Sequence, residues 1–295
     1  MKKNLSLLLF IFFVGSSFAQ HNNQYSQYMF NGLVVNPAYA GSNKALNITL
    51  LHRNQWVGFE GAPKTTSLSI HTPLPNKKLN VGVNFIADKY GLTKKNIVSG
   101  IFAYRIDFKK SSISFGIQGG VDMTTSNWDQ ATTTTSGDVV FEGQQQRLTT
   151  PLAGCGIYYL AKNYFLGLSS PSLIQFGSNT KSIYKPTLLY GGYVYKYSES
   201  LAFKPSVLVK YISNSPVEFD LNLNAYYKNV GLGVSYRTND AVVFLLNYSI
   251  NDQFNIGYAY DLTISKLKTY NNGSHEIMLK YQFGYKVNAP SPRYF

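Results

Sequence analysis

One cysteine, Cys155, stands among 295 residues, so no intrachain disulfide can form and the fold must hold without cross-links. A lone thiol of this kind is expected to be a small buried hydrophobe rather than a reactive group. Charge is scarce as well. Asp, Glu, Lys and Arg together make up 14 % of the chain, against about 25 % in ordinary soluble domains. Hydrophobic residues reach 44 %, yet past the first residues no apolar run approaches the roughly 20 residues that a membrane-spanning helix requires. Acidic residues are the rarer sign, 14 against 27 Lys and Arg, for a formal net charge of +13. Only four histidines are present, His21, His52, His71 and His275. No two of them have metal-ligand spacing. Phosphate loops, nucleotide fingerprints and calcium loops are missing too. The expectation is therefore no catalytic residue, no metal and no cofactor.

The beginning of the chain carries an export signal. Lys2 and Lys3 precede an apolar run from Leu5 to Val14, and Ser17-Phe18-Ala19 offers small residues where a signal peptidase reads them. Cleavage is expected after Ala19. No cysteine follows the run, which excludes a lipoprotein signal. Export makes nucleic acid an implausible partner for the basic charge. Lys77-Lys78, Lys94-Lys95 and Lys109-Lys110 fall at expected strand ends, where turns and a membrane rim would solvate them.

What is abundant is aromatic residues, 24 Tyr and 19 Phe, and alternation with period two. Val217, Phe219, Leu221, Leu223, Ala225 and Tyr227 alternate with Glu218, Asp220, Asn222, Asn224 and Tyr226. Phe254, Ile256, Tyr258, Tyr260 and Leu262 alternate with Asn255, Gly257, Ala259 and Asp261, and 274–285 behaves alike. Successive side chains of a strand point to opposite faces, so each segment has one apolar and one polar face. A soluble sandwich also alternates. Three features favour a membrane barrel: strands of about 9–12 residues, a polar face rich in Gly, Asn, Ser and Gln, and aromatics near strand ends, as interfacial girdles have.

Strands are expected near 45–54, 64–73, 78–88, 94–107, 111–124, 150–160, 163–170, 183–196, 201–213, 217–228, 229–238, 241–250, 253–263 and 274–285. That count is about fourteen, and bacterial single-chain barrels have even counts. The connections sort by parity, one set short and the other longer on the whole (55–63, 125–149, 171–182, 264–273), as periplasmic turns and outer loops do. The short connections near 213–217 and 238–241 are exceptions. The fold class is all-β, a transmembrane antiparallel up-and-down β-barrel of the bacterial outer membrane. The chain divides into a signal peptide (1–19), an N-terminal periplasmic or lumenal segment (20–44), the barrel (45–286) and a periplasmic tail (287–295).

A barrel hydrolase would need Ser, His and an orienting group in contact. His275 and Glu276 are neighbours on a strand and must face opposite ways, so they make no dyad.

Several stretches carry a family resemblance: Gln24-Tyr25-Ser26-Gln27-Tyr28-Met29-Phe30 leading to Asn36-Pro37-Ala38-Tyr39-Ala40-Gly41, Arg53-Asn54-Gln55-Trp56, Gly61-Ala62-Pro63-Lys64-Thr65, Phe203-Lys204-Pro205-Ser206-Val207-Leu208-Val209-Lys210, Gly233-Val234-Ser235-Tyr236-Arg237, Gly257-Tyr258-Ala259-Tyr260-Asp261 and Gly273-Ser274-His275-Glu276-Ile277-Met278-Leu279. In this order, over nearly the whole mature chain, they resemble the PorP/SprF family of the type IX secretion system of Bacteroidetes. The resemblance implies an outer-membrane barrel tied to secretion and gliding motility, without catalytic residues. Its implied partners are a secreted, adhesin-like surface protein, held through its C-terminal domain, and other type IX subunits. Outer-membrane lipid is the remaining expected partner, and a passive small-solute porin is the alternative function.

Candidate partner-contact or lumen residues follow from position. Tyr25, Tyr28, Met29, Phe30 and Tyr39 would be costly to leave in water, so 24–42 is expected in the lumen or against the periplasmic rim. Trp56, Phe59, Trp128 and the long connections are expected to meet a partner. Glu218, Asp220, Arg237 and Lys280 should face the lumen, as should Arg105 or Asp107 according to register. Charged lumen residues pair with one another or set ion preference.

Overall fold

The computed structural model describes residues 24–75, 78–128, 145–175, 185–213 and 215–283. The signal peptide, most of 125–149, much of 171–182 and the tail 287–295 lie outside the described residues.

Fourteen strands close into one antiparallel barrel. They are β1 (Asn47–Asn54), β2 (Lys64–Pro73), β3 (Leu79–Tyr90), β4 (Thr93–Asp107), β5 (Ser111–Asn127), β6 (Gln145–Ala161), β7 (Tyr164–Gln175), β8 (Thr187–Tyr193, resuming at Tyr195–Lys196), β9 (Leu201–Tyr211), β10 (Glu218–Tyr227), β11 (Val230–Arg237), β12 (Ala241–Ser249), β13 (Phe254–Thr263) and β14 (Ser274–Gln282). Each pairs with its chain neighbours, and β14 returns to β1 from Asn47↔Gln282 to Asn54↔His275. Closure leaves no edge strand, which the membrane interior demands because nothing there can satisfy an open row of N–H and C=O groups.

Alternation fixes the register. Along β10, Phe219, Leu221 and Leu223 are exposed, while Asp220, Asn222 and Asn224 are buried. Nearly all the exposed large hydrophobics lie on this outer face, including Phe85, Phe102, Ile117, Leu232, Phe244 and Ile277. The buried set is largely polar: Asn47, Thr49, Ser67, Ser69, Asn80, Asn84, Ser114 and Asn247. Such an inside-out distribution would be unstable in water and is what a lipid belt around a polar lumen requires. Replacing Leu223, 51 % exposed on β10, by Lys should therefore destabilise the barrel by about 2–4 kcal/mol. Urea unfolding from lipid vesicles would measure it, and an unchanged midpoint would contradict a lipid-facing Leu223.

Three local findings depart from the sequence expectations. Cys155 is exposed on the outer face, not buried among protein atoms; lipid supplies its apolar surroundings. The wall is taller over β3–β7, because β5 runs on to Asn127 and β6 already begins at Gln145, so the connection between them is shorter than 125–149. Third, Tyr90 and Thr93 pair across a tight turn whose Gly91 sits at φ 51, adding another short connection at the long-loop end. The break in β8 has a clear cause. By register it lies opposite Lys204 and Pro205 on β9, and Pro205 has no N–H to give the ladder.

Candidate functional site

The lumen is filled by the chain's own N-terminal segment. From Gln24 to Ala45 the backbone runs through the barrel as turns and two short 3-10 stretches, Gly32–Val34 and Pro37–Tyr39. Tyr25, Tyr28, Leu33, Ala38 and Tyr39 are buried, as are Gln27, Asn31 and Asn36. A segment without ladder partners must find its hydrogen bonds elsewhere, and here the inner face of the wall supplies them. Asn84 donates to the Leu33 carbonyl at 3.1 Å, Ser169 to Val35 O at 2.6 Å and Arg105 to Ser42 O at 3.2 Å. His71 Nδ1 accepts from the Gly41 amide at 3.0 Å, and Asn36 donates to Ile157 O at 2.9 Å.

Space for the plug is cut by lumen-facing glycines. A Cβ at Gly116 would fall on the Pro37–Ala38 backbone, one at Gly156 on Asn36 Oδ1, and one at Gly257 on Gln27 Oε1. These three positions need glycine for close approach, not for backbone freedom.

The plug is locked at the end that carries the long loops. The amides of Ser26 and Gln27 donate to the two carboxylate oxygens of Glu276, at 2.9 and 2.7 Å. The Ser26 hydroxyl donates to Asp261 at 2.8 Å and accepts from Arg53 at 2.9 Å. Arg53 bridges Asp261 at 2.7 Å and Glu276 at 3.4 Å, while Arg237 reaches Asp220, Asp240 and Asp261 at 3.2–3.3 Å. Four strands, β1, β11, β13 and β14, thus converge on two residues of the plug, and β10 joins them through Asp220. Gln24 bonds Gln55 of the β1–β2 loop at 3.3 Å, so the segment descends from the long-loop end to the opposite end, where β1 begins.

Beside the lock, against the taller wall, lies a cavity of 140 Å³ lined on the plug side by Tyr25, Tyr28, Val34 and Val35. Its sides mix apolar residues (Ile97, Leu152, Leu188, Leu208) with paired charges: Lys95–Asp122 at 2.9 Å, Lys210–Glu218 and Asp220–Arg237. A surface half apolar and half charge-paired suits a polypeptide better than a bare ion.

The residues singled out from sequence occupy different places. Tyr28 lies within the plug, its hydroxyl accepting from Asn222 at 2.7 Å, and Tyr39 is buried against His71 and Tyr158. Phe30 is half-buried, its carbonyl accepting from Lys280 at 3.2 Å. Asp220 and Arg237 come together; Glu218 is at the cavity wall and Lys280 lies toward the opposite end. Arg105 is lumenal and buried, whereas Asp107 at the strand end is half exposed. Trp56 is half-buried, at φ 47, and donates its amide to Ser274 Oγ at 3.0 Å. Val57 and Asn272 tie the 55–63 and 264–273 loops together. Phe59 is exposed on the same rim, and exposed Trp128 stands on the taller wall, apart from them. Sequence reasoning missed Ser26, Gln27, Arg53, Asp261 and Glu276 as a unit. The available signal was an unusual set of charged residues at inner-face positions of strands that are otherwise Asn, Ser and Gly.

A closed fourteen-strand barrel with a lipid-facing belt and a polar, plugged lumen defines an outer-membrane β-barrel protein. The chain is similar to solved structures of that class. The toluene transporter TbuX of Ralstonia pickettii matches with TM-score 0.50 at 9 % identity, over 85 % of this chain and 92 % of its own. Omp33 of Acinetobacter baumannii matches with TM-score 0.49 at 8 % identity, over 82 % and 100 %. Identities this low speak of fold alone. No curated protein matches the sequence. The family model for the type IX secretion system membrane protein PorP/SprF matches residues 17–281. The chain belongs to the PorP/SprF family, and membership implies a role in type IX secretion and association with other components of that system.

Proposed function

We propose that the protein is a non-enzymatic outer-membrane component of type IX secretion that binds or retains a secreted, adhesin-like surface protein through that protein's C-terminal domain, in support of gliding. The plugged lumen carries this reading. A barrel whose bore is occupied by its own chain, hydrogen-bonded to the wall along its length, is ill suited to passive diffusion. The cavity beside the plug offers a half-apolar seat at the end bearing the long loops, which in this reading face outward. The exposed Phe59 and Trp128 on the rim would extend that seat.

The test is affinity capture of tagged protein from native outer membranes in mild detergent, read by mass spectrometry. A large surface protein, or its C-terminal domain, should copurify, and Ile97→Glu in the cavity wall should reduce its recovery at least about tenfold, since it buries a charge without a partner. Recovery of the barrel alone, where control complexes survive, would overturn the reading.

A further inference from the structure

Toward the other end of the plug lies a buried cation without a counter-charge. Lys204 on β9 is 2 % exposed. Its ammonium sits 5.0 Å from the centroid of the Phe165 ring. No carboxylate pairs with it among the described residues, and the charged side chain that acts on it is another lysine, Lys280. The carboxylates of the lock stand at the opposite end. An ammonium buried this way is costly unless something neutralises it, and a cation–π contact returns only part of that cost.

Beside Lys204 is a small cavity of 20 Å³ between plug and wall, lined also by Tyr28, Tyr39, Phe165, Tyr190 and Ser206. The hydroxyls of Tyr190 and Ser206 are buried; Ser206 makes no hydrogen bond among the described residues, and Tyr190 has the Asn36 side chain beside its oxygen, which leaves its O–H proton to donate. About 10–15 Å³ holds one water-sized body, so the space admits a single monatomic ion and excludes phosphate, sulfate or a carboxylate ligand. Ammonium and hydroxyl groups all offer donors, and what they share as a partner is an anion.

We propose that this cavity is a halide site, filled in the cell by chloride, with Lys204 as counter-ion and Tyr190 and Ser206 as hydroxyl donors. The ion neutralises the lower lumen and fastens the Tyr28–Tyr39 part of the plug to β6–β9. The site is separate from the cavity assigned to the partner and stands or falls independently of it.

The experiment uses the full mature protein in detergent. Crystals grown in bromide should show an anomalous peak in this cavity, and the melting temperature should be several degrees higher in chloride than in gluconate at equal ionic strength. Lys204→Met should remove both effects. Should that variant fail to fold, Ser206→Ala keeps the charge, and the halide concentration at half-effect should rise about tenfold, as expected for one lost hydrogen bond to a charged group. Absence of a bromide peak, with identical melting in chloride and gluconate, would show that the cavity holds water and overturn the proposal. Halide stabilisation that persists unchanged in both variants would place the ion elsewhere and overturn it equally.

Discussion

Excising residues 24–43 should turn an insulating barrel into a conducting one in a planar bilayer. Fourteen strands enclose more than an eight-stranded barrel, whose bore side chains alone can fill. Here the plug, not the wall, completes the filling. Removing it would leave a bore lined by Ser69, Asn84, Ser169, Asn222 and Asn224, with Lys204, Lys280 and Arg105 as its lower charges. Those cations should make the open bore prefer anions. A gentler variant separates plug release from loss of mass. Val at both Gly116 and Gly156 puts side chains where the Pro37–Ala38 backbone and Asn36 now sit, so the plug must lift while the strands, which tolerate Val well, remain. Both variants should conduct, and the intact protein should not. Equal conductance in all three would mean that the bore is blocked by something other than residues 24–43.

The barrel was legible because its cause is local. Lipid outside and polar lumen inside force period-two alternation on every strand, so Val217–Tyr227 or Phe254–Leu262 can be placed on two faces by reading alone. Strand ends were less legible where the wall rises over β5 and β6, since a strand that climbs past the membrane loses its apolar face and with it the signal. Inner-face Gly116 and Gly156 read as ordinary small lumen residues; that they accommodate a backbone depends on where 36–38 passes, which no periodicity encodes. Cys155 was misplaced for a similar reason. A buried-hydrophobe expectation assumes water outside, and on this strand the outside is lipid. Asp261 and Glu276 were each assignable to the lumen, yet their meeting with Ser26 joins positions more than 200 residues apart, set by barrel closure through the β1–β14 pair, which also brings Arg53 to them.

Glu276→Ala should cost about 3–5 kcal/mol, the usual loss when one partner of a buried ion pair is removed. The carboxylate is wholly buried and accepts from two backbone amides as well as from Arg53. Its removal strands the Ser26 and Gln27 amides and leaves Arg53 leaning on Asp261 alone among carboxylates. Glu276→Gln keeps one carbonyl acceptor and should lose less. The damage should be local: the first residues of the plug should become open to protease, and a cysteine placed at Gln24 should label faster from the long-loop side, while heat-modified migration of the barrel persists. Adding Arg53→Met should deepen the loss, because Asp220, Asp240 and Asp261 would then share Arg237 alone. A Glu276→Ala protein as stable and as protected as the parent would show that the plug is held by its glycine seat and aromatic packing, with the ion pairs contributing little. A double variant as stable as Glu276→Ala would instead show that the Arg53–Asp261 pair contributes little and assign the loss to the two stranded amides.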